Sequence, residues 1–212
     1  MRNFTNNQQV SIVVQAGGQS VRMGTDKGLV ELRGKPLAGW IIDQTADIAS
    51  ETLIVSNQPE HYQRFGLPVY PDIIPGIGAL GGLYTATHYA RFEYIFVLAC
   101  DMPFIHKAVL QYMLNRINSH DVLIPFLDDR TKLEPFRALY RKNCERPILN
   151  AIQAGKRRAI SFFAEVNVQE MAFREISELD PEGISFFNIN TPEDVERAEI
   201  IAASLPTGFL SS

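Results

Sequence analysis

Ser11-Ile12-Val13-Val14-Gln15-Ala16-Gly17-Gly18 is a short β-branched run that stops at paired glycines. Apolar residues without polar alternation read as a strand buried on both faces, the kind found in parallel sheets covered by helices. Gln19-Ser20-Val21-Arg22-Met23-Gly24-Thr25-Asp26-Lys27 comes next and reads as a loop. Its glycines let backbone N–H groups approach an anion closely, and successive N–H groups can form an anion-binding nest. Arg22 adds a fork-shaped cation and Lys27 a point charge, a pairing suited to a triphosphate. The loop is neither GxxxxGK[ST] nor GxGxxG, so it is not an ordinary P-loop or a dinucleotide fingerprint. The plainer reading is a strand-to-helix turn with solvated charges.

Beyond this loop, residues 37–48 carry apolar side chains at helical spacing (Leu37, Ile41, Ile42, Ala46) behind Lys35-Pro36. Residues 52–55 read as a second strand, 59–65 as a short helix and 68–70 as a third strand. The glycine-dense stretch 75–82 reads as a loop, with a helix after it to residue 89. Residues 94–100 form the most apolar strand and run straight into Asp101-Met102-Pro103. A helix is expected over 105–117, strands over 122–125 and 136–140, and a helix over 145–154. Residues 184–187 read as a strand. Thr191-Pro192-Glu193-Asp194 is a helix start, with Thr as N-cap, Pro at the first position and acids in the first turn, running to about residue 204.

Strands alternating with helices imply a Rossmann-like α/β fold: a mostly parallel, mixed and twisted sheet flanked by helices. A chain of 212 residues fits one large core. The expected organisation is a tail over 1–9, a single domain over 10–205 and a second tail over 206–212. In such sheets ligands bind beyond the carboxyl ends of the strands, where Gly17-Gly18 and Asp101 both fall.

Composition excludes several classes. With 46% hydrophobic and 21% charged residues the chain is globular. A net charge of -4 offers no basic footprint for nucleic acid, and Lys156-Arg157-Arg158 is too short to track a duplex. The cysteines, Cys100 and Cys144, have apolar neighbours and read as buried free thiols. The four histidines are scattered and suggest no metal cluster. No signal-like segment or run of about 20 apolar residues is visible, so the expectation is a cytoplasmic protein without membrane attachment.

Three further segments carry chemistry. Asp101, at the end of the central strand, can hold Mg²⁺ against phosphate oxygens, since magnesium often uses one or two carboxylates and completes its shell with phosphates and water. It can equally cap the next turn. Asp72, before the glycine stretch, can accept hydrogen bonds from guanine N1–H and N2–H₂. Asn188-Ile189-Asn190-Thr191-Pro192 is either a site loop or plain helix capping.

The AGG motif at Ala16-Gly17-Gly18, the RMG at Arg22-Met23-Gly24 and the following Lys27 resemble the signature of sugar-phosphate and cofactor nucleotidyltransferases. The spacing of Thr25-Asp26-Lys27-Gly28-Leu29, Gly34-Lys35-Pro36-Leu37, Cys100-Asp101-Met102-Pro103, Gly155-Lys156-Arg157-Arg158 and Asn188 to Glu193 narrows this. From Val10 to about Ala198 the chain resembles the molybdenum cofactor guanylyltransferases. The resemblance implies transfer of GMP from Mg-GTP to the terminal phosphate of molybdopterin, with release of pyrophosphate. It implies that the backbone of Gln15, Ala16, Gly17 and Gly18 holds the nucleotide, and that Lys27 contacts phosphate beside Arg22. Asp72 would bind GTP and Asp101 the associated Mg²⁺, while Arg157, Arg158, Asn188 and Asn190 would lie on the acceptor side. Gln15 stands where several relatives carry Leu. Val55 stands where some place an Asn, so the resemblance assigns no nucleotide contact to Asn57. Implied partners are cofactor-insertion proteins or acceptor molybdoenzymes.

The rival readings are a related transferase using another nucleotide or acceptor (molybdopterin cytidylyltransferase, a cobalamin-pathway guanylyltransferase, a sugar-phosphate nucleotidyltransferase) and a non-catalytic nucleotide-binding module. Nucleotidyl transfer suits these residues. It needs positioned phosphates and neutralised charge on the leaving pyrophosphate rather than a nucleophilic side chain.

Overall fold

The computed structural model describes residues 9–16, 26–127 and 132–205. Strand β1 (Val10–Gln15) is followed by a small hairpin, β2 (Glu31–Leu32) and β3 (Lys35–Pro36). Then come helix α1 (Leu37–Thr45), β4 (Glu51–Val55), β5 (Val69–Tyr70), α2 (Ala79–Tyr89), β6 (Tyr94–Ala99) and α3 (Lys107–Arg116). The rest is β7 (Val122–Leu127), β8 (Lys132–Leu133), β9 (Arg137–Arg141), α4 (Glu145–Gln153), β10 (Val168–Met171), α5 (Phe173–Leu179) and α6 (Pro192–Ser204).

The main sheet runs β10-β7-β9-β6-β1-β4-β5, with β8 paired to β7 outside that order. β1 pairs parallel to both β4 and β6, and β5 parallel to β4. β9 alone in the central order is antiparallel to both neighbours. Parallel neighbours need a crossover, usually a helix, and no described helix separates β7 from β9. The fold is therefore the mostly parallel, mixed sheet flanked by helices that the sequence pattern implies.

The central strands are buried on both faces. Ile12 and Val14 pack with Ile41, Leu98 and Met113 on one side. Val13 packs with Leu53, Leu83 and Val97 on the other. This two-sided burial explains why β1 and β6 show no polar alternation. A third cluster joins Leu32, Leu37, Trp40 and Phe104 to Ile189, Ala198 and Ala202, and so docks α6 and the loop before it against the β2–β3 hairpin. Trp40 donates Nε1–H to Leu32 O at 3.0 Å and meets Phe104 edge-on.

Two expectations are corrected. Residues 184–187 are not a strand: Ile184–Phe186 is a short 3-10 helix. The Asp180 carboxylate accepts from the backbone N–H groups of Ile184 at 3.2 Å and Ser185 at 2.9 Å, which curls the chain. Gly81 and Gly82 are not loop residues but lie in the first turn of α2. A Cβ on Gly82 would sit 2.4 Å from the Gln15 amide nitrogen, so glycine is what lets this helix approach the end of β1. The sequence pattern carries no clear signal for β2, β3, β8, β10 or α5. Cys100 and Cys144 are buried and free, as expected.

Candidate nucleotide-binding site

The carboxyl ends of β1, β4, β5 and β6 share one edge of the sheet and are stitched together by backbone. Ala16 N–H donates to Val55 O at 2.9 Å, and Cys100 N–H donates to Gln15 O at 3.1 Å. Ser56 N–H donates to Tyr70 O at 3.0 Å. The segments leaving these four strands therefore gather at a common rim.

Lys27 lies in the first turn of a short 3-10 helix, Lys27–Leu29. Its Nζ donates to Asp101 Oδ2 at 3.0 Å and to Asn190 Oδ1 at 2.6 Å. One ammonium thus joins residues 74 and 163 positions away in the chain. The ion pair is about one-fifth exposed on each side, open enough for a ligand to reach it. Ile189 N–H donates to Asp101 O at 2.8 Å, so backbone as well as side chains ties the Asn188–Asn190 loop to the end of β6.

Asp26 fixes the start of the Lys27 turn. Its carboxylate accepts from Gly28 N–H at 3.1 Å and from the Tyr62 hydroxyl at 2.5 Å. Burial, reinforced by the hydrogen bond to Asp26, pushes the Tyr62 phenol far above its ordinary range, so it remains a donor. A Cβ on Gly28 would lie 2.3 Å from the Tyr62 hydroxyl, which restricts that position to glycine.

Asp72 follows β5 and pairs with Asn57 after β4. Asn57 Nδ2–H donates to Asp72 Oδ2 at 2.9 Å, and Asp72 N–H donates to Asn57 Oδ1 at 2.9 Å. No sequence motif singles out Asn57. Its position two residues beyond β4 mirrors that of Asp72 beyond β5, but only strand pairing reveals the match. Arg157 is exposed, and its guanidinium donates to Gly76 O, so it reaches the glycine stretch beside Asp72. Arg158 and Asn188 fall in the same two segments as Arg157 and Asn190, with Arg158 exposed and Asn188 half-buried. Gly17, Gly18 and Arg22 lie outside the described residues. Gln15 and Ala16 are present, and the Gln15 side chain packs on Gly82.

The fit to a divalent metal is specific in kind. No group of three His, Cys, Asp or Glu side chains among the described residues could enclose an ion. Asp101 is a half-buried carboxylate at the rim, with no second carboxylate bonded beside it among the described residues. That donor set suits a hard cation that arrives with phosphate oxygens and water, and does not suit an all-protein cage.

Beneath the rim lies Arg137 of β9, 1% exposed. Its Nη2 donates to Met102 O, one residue past Asp101. Burial lowers its pKa to about 10, opposed by the carboxylates of Glu134, Asp101 and Asp180, and it stays charged at neutral pH.

A sheet of this topology, with Lys and Asp meeting where β1 and β6 end and an Asn–Asp pair where β4 and β5 end, defines a nucleotidyltransferase-type α/β domain. Residues 12–169 match the family profile described as the MobA-like NTP transferase domain, and the chain belongs to that family. A probable molybdenum cofactor guanylyltransferase of Pelotomaculum thermopropionicum is 34% identical over 200 residues, covering 94% of this chain and 97% of that protein. One from Natranaerobius thermophilus is 36% identical, covering 89% and 94% respectively. Among solved structures, the molybdopterin-guanine dinucleotide biosynthesis protein A from Archaeoglobus fulgidus superimposes with a TM-score of 0.78 at 29% identity, covering 92% of this chain and all of that one. Nucleotidyltransferases of this kind typically need a divalent metal. No described helix is long and apolar enough to cross a membrane.

Proposed function

We propose that this protein transfers GMP from GTP to the terminal phosphate of molybdopterin, giving the guanine dinucleotide form of the cofactor and pyrophosphate. The observation that carries the proposal is the Lys27 ammonium spanning Asp101 and Asn190, which joins a nucleotide-side and an acceptor-side loop in one contact. The N-terminal half then holds nucleotide and the C-terminal part holds acceptor, with Arg157, Arg158, Asn188 and Asn190 on that side.

The acceptor phosphate is already an anion, so it attacks the α-phosphorus without a general base. One P–O bond forms as the bond to the β-phosphate breaks, and pyrophosphate carries away the electron pair. Asp101, together with substrate phosphates, would hold Mg²⁺, which would supply neutralisation of the charge that builds on the leaving pyrophosphate. Lys27 is preloaded on Asp101 and transfers its donors to phosphate oxygens when nucleotide arrives. Arg22 belongs to the same cationic set. Asp72, held by Asn57, accepts from the guanine edge, a pattern that adenine does not offer. Backbone groups of Gln15 to Gly18 complete the nucleotide cradle. The product passes to a cofactor-insertion protein or an acceptor molybdoenzyme.

The test is transfer of α-phosphate label from GTP to molybdopterin, with CTP, ATP and UTP run in parallel. Label moving from GTP alone, and lost in Asp101→Asn while the variant still unfolds cooperatively, supports the assignment. Transfer from CTP instead moves the protein to the cytidylyl branch of the family. Turnover of Asp101→Asn within a few-fold of wild type removes the metal role.

A further inference from the structure

Arg137 is a fully buried cation in a strand whose next three residues, Ala138, Leu139 and Tyr140, are core. It stands opposite Leu98 in the β6–β9 register, directly under the Asp101 turn. Its Nη2 is spent on Met102 O. Its Nε and Nη1 are buried and find no hydrogen-bond acceptor among the described residues. Buried donors without acceptors weaken a fold, and a Leu or Met here would weaken it less. A residue that works against stability at a ligand rim is evidence of a functional requirement.

Two loops meet at the Asp101 turn that this guanidinium grips. One carries Asp101 and is gripped at Met102 O. The other begins at Asp180, 2% exposed, whose carboxylate curls residues 184–185 just before Asn188–Asn190. Asp180 lies within Arg137's electrostatic reach, as Asp101 and Glu134 do. The loops touch each other through Ile189 N–H on Asp101 O.

We propose that Arg137 is a positioning residue: a buried cation that fixes the Asp101–Met102 turn against the loop running from Asp180 to Asn190. It thereby sets the spacing that Lys27 bridges. It touches no substrate and acts through Asp101 and Asn190. The proposal rests on the reading of Asp101 as the metal-side residue for its consequence, but not for its geometry.

Arg137→Met, in the full chain, separates the two. Hydrogen exchange is read without ligand. Exchange at the Ile189 amide rises at least tenfold in Arg137→Met, while exchange at Val97 in the core strand stays within twofold and the urea midpoint does not fall. In parallel, the Mg²⁺ concentration giving half of the GTP-induced thermal shift rises at least tenfold. Ile189 exchange within twofold of wild type overturns the proposal. So does faster exchange throughout the core with a lowered urea midpoint, which marks a purely structural residue. If Arg137→Met does not fold, Arg137→Lys, which keeps the charge but not the fork, decides by the same exchange criterion. A wild type that shows no shift with any Mg-nucleotide sinks the transferase reading, and the exchange result still decides the role of Arg137.

Discussion

Gly28 and Tyr62 should behave as one unit, and a double-mutant cycle can measure it. The Tyr62 hydroxyl sits 2.5 Å from the Asp26 carboxylate, and a Cβ at Gly28 would come within 2.3 Å of that hydroxyl and 3.1 Å of two ring carbons. Tyr62→Phe removes a charge-assisted bond worth about 1.5–3 kcal/mol. Asp26 is half-buried and keeps the Gly28 amide, so the lower end, about 1.5 kcal/mol, is expected. Gly28→Ala overpacks the site, at a cost of about 1–3 kcal/mol. In the Tyr62→Phe background the closest contact is gone and only the ring contacts remain. There Gly28→Ala should cost little, because lower unfolded-state entropy returns about 0.4–1 kcal/mol. The coupling energy is therefore expected at about 1–2 kcal/mol, favouring the double variant over the sum of the singles. Each kcal/mol moves the melting temperature of a chain this size by about 2–4 °C. Urea unfolding of the four proteins provides the measurement. Additivity within about 0.5 kcal/mol, the limit for independent sites, refutes the claim that Gly28 and Tyr62 act as one unit.

Asn57→Ala leaves Asp72 without its side-chain partner and should weaken GTP binding about tenfold to a hundredfold by calorimetry, from the same charge-assisted range. An unchanged affinity removes Asn57 from the site. The Asp194 carboxyl is held below its ordinary value of 3.8, first by the Asn190 amide and then by that of Thr191. A depressed carboxylate stabilises above its unfolded pKa, and that stability is lost as pH falls through the lower folded value. The Asn190 amide resonance should thus titrate with a midpoint below 3.8, and a midpoint at or above it contradicts the capping geometry. Burial pushes the Cys144 thiol up to about 12 and the Cys100 thiol higher still, with Asp101 adding to the latter. Neither should react with a thiol reagent at pH 8 until the protein unfolds; one fast-reacting thiol in the native state counts against this burial.

Particular residues show why some of this was legible in the chain. The start of α6 was readable because capping is local: the Thr191 hydroxyl accepts from Asp194 N–H, and the Asp194 carboxylate accepts from Thr191 N–H. β6 was readable because a strand covered on both faces must be continuously apolar. β10, Val-Gln-Glu-Met at the sheet edge, has its two polar residues adjacent and so on opposite faces, which leaves no period-2 alternation to read. Residues 184–187 looked like a strand by composition, and a side chain four residues upstream turned them into a 3-10 helix.

The sequence alone determined the alternating α/β plan, the candidacy of Lys27, Asp72 and Asp101 as site residues, and the kinship with a transferase family. Each rests on interactions within a few residues, on apolar periodicity or on motif spacing. The tertiary structure decided the antiparallel entry of β9, the pairing of Asn57 with Asp72, the bridge from Lys27 to Asn190 and the place of Arg137 beneath Asp101. These contacts join residues 15 to 163 positions apart. No local propensity encodes such distances; they follow from how the strands order themselves to bury both faces of one sheet.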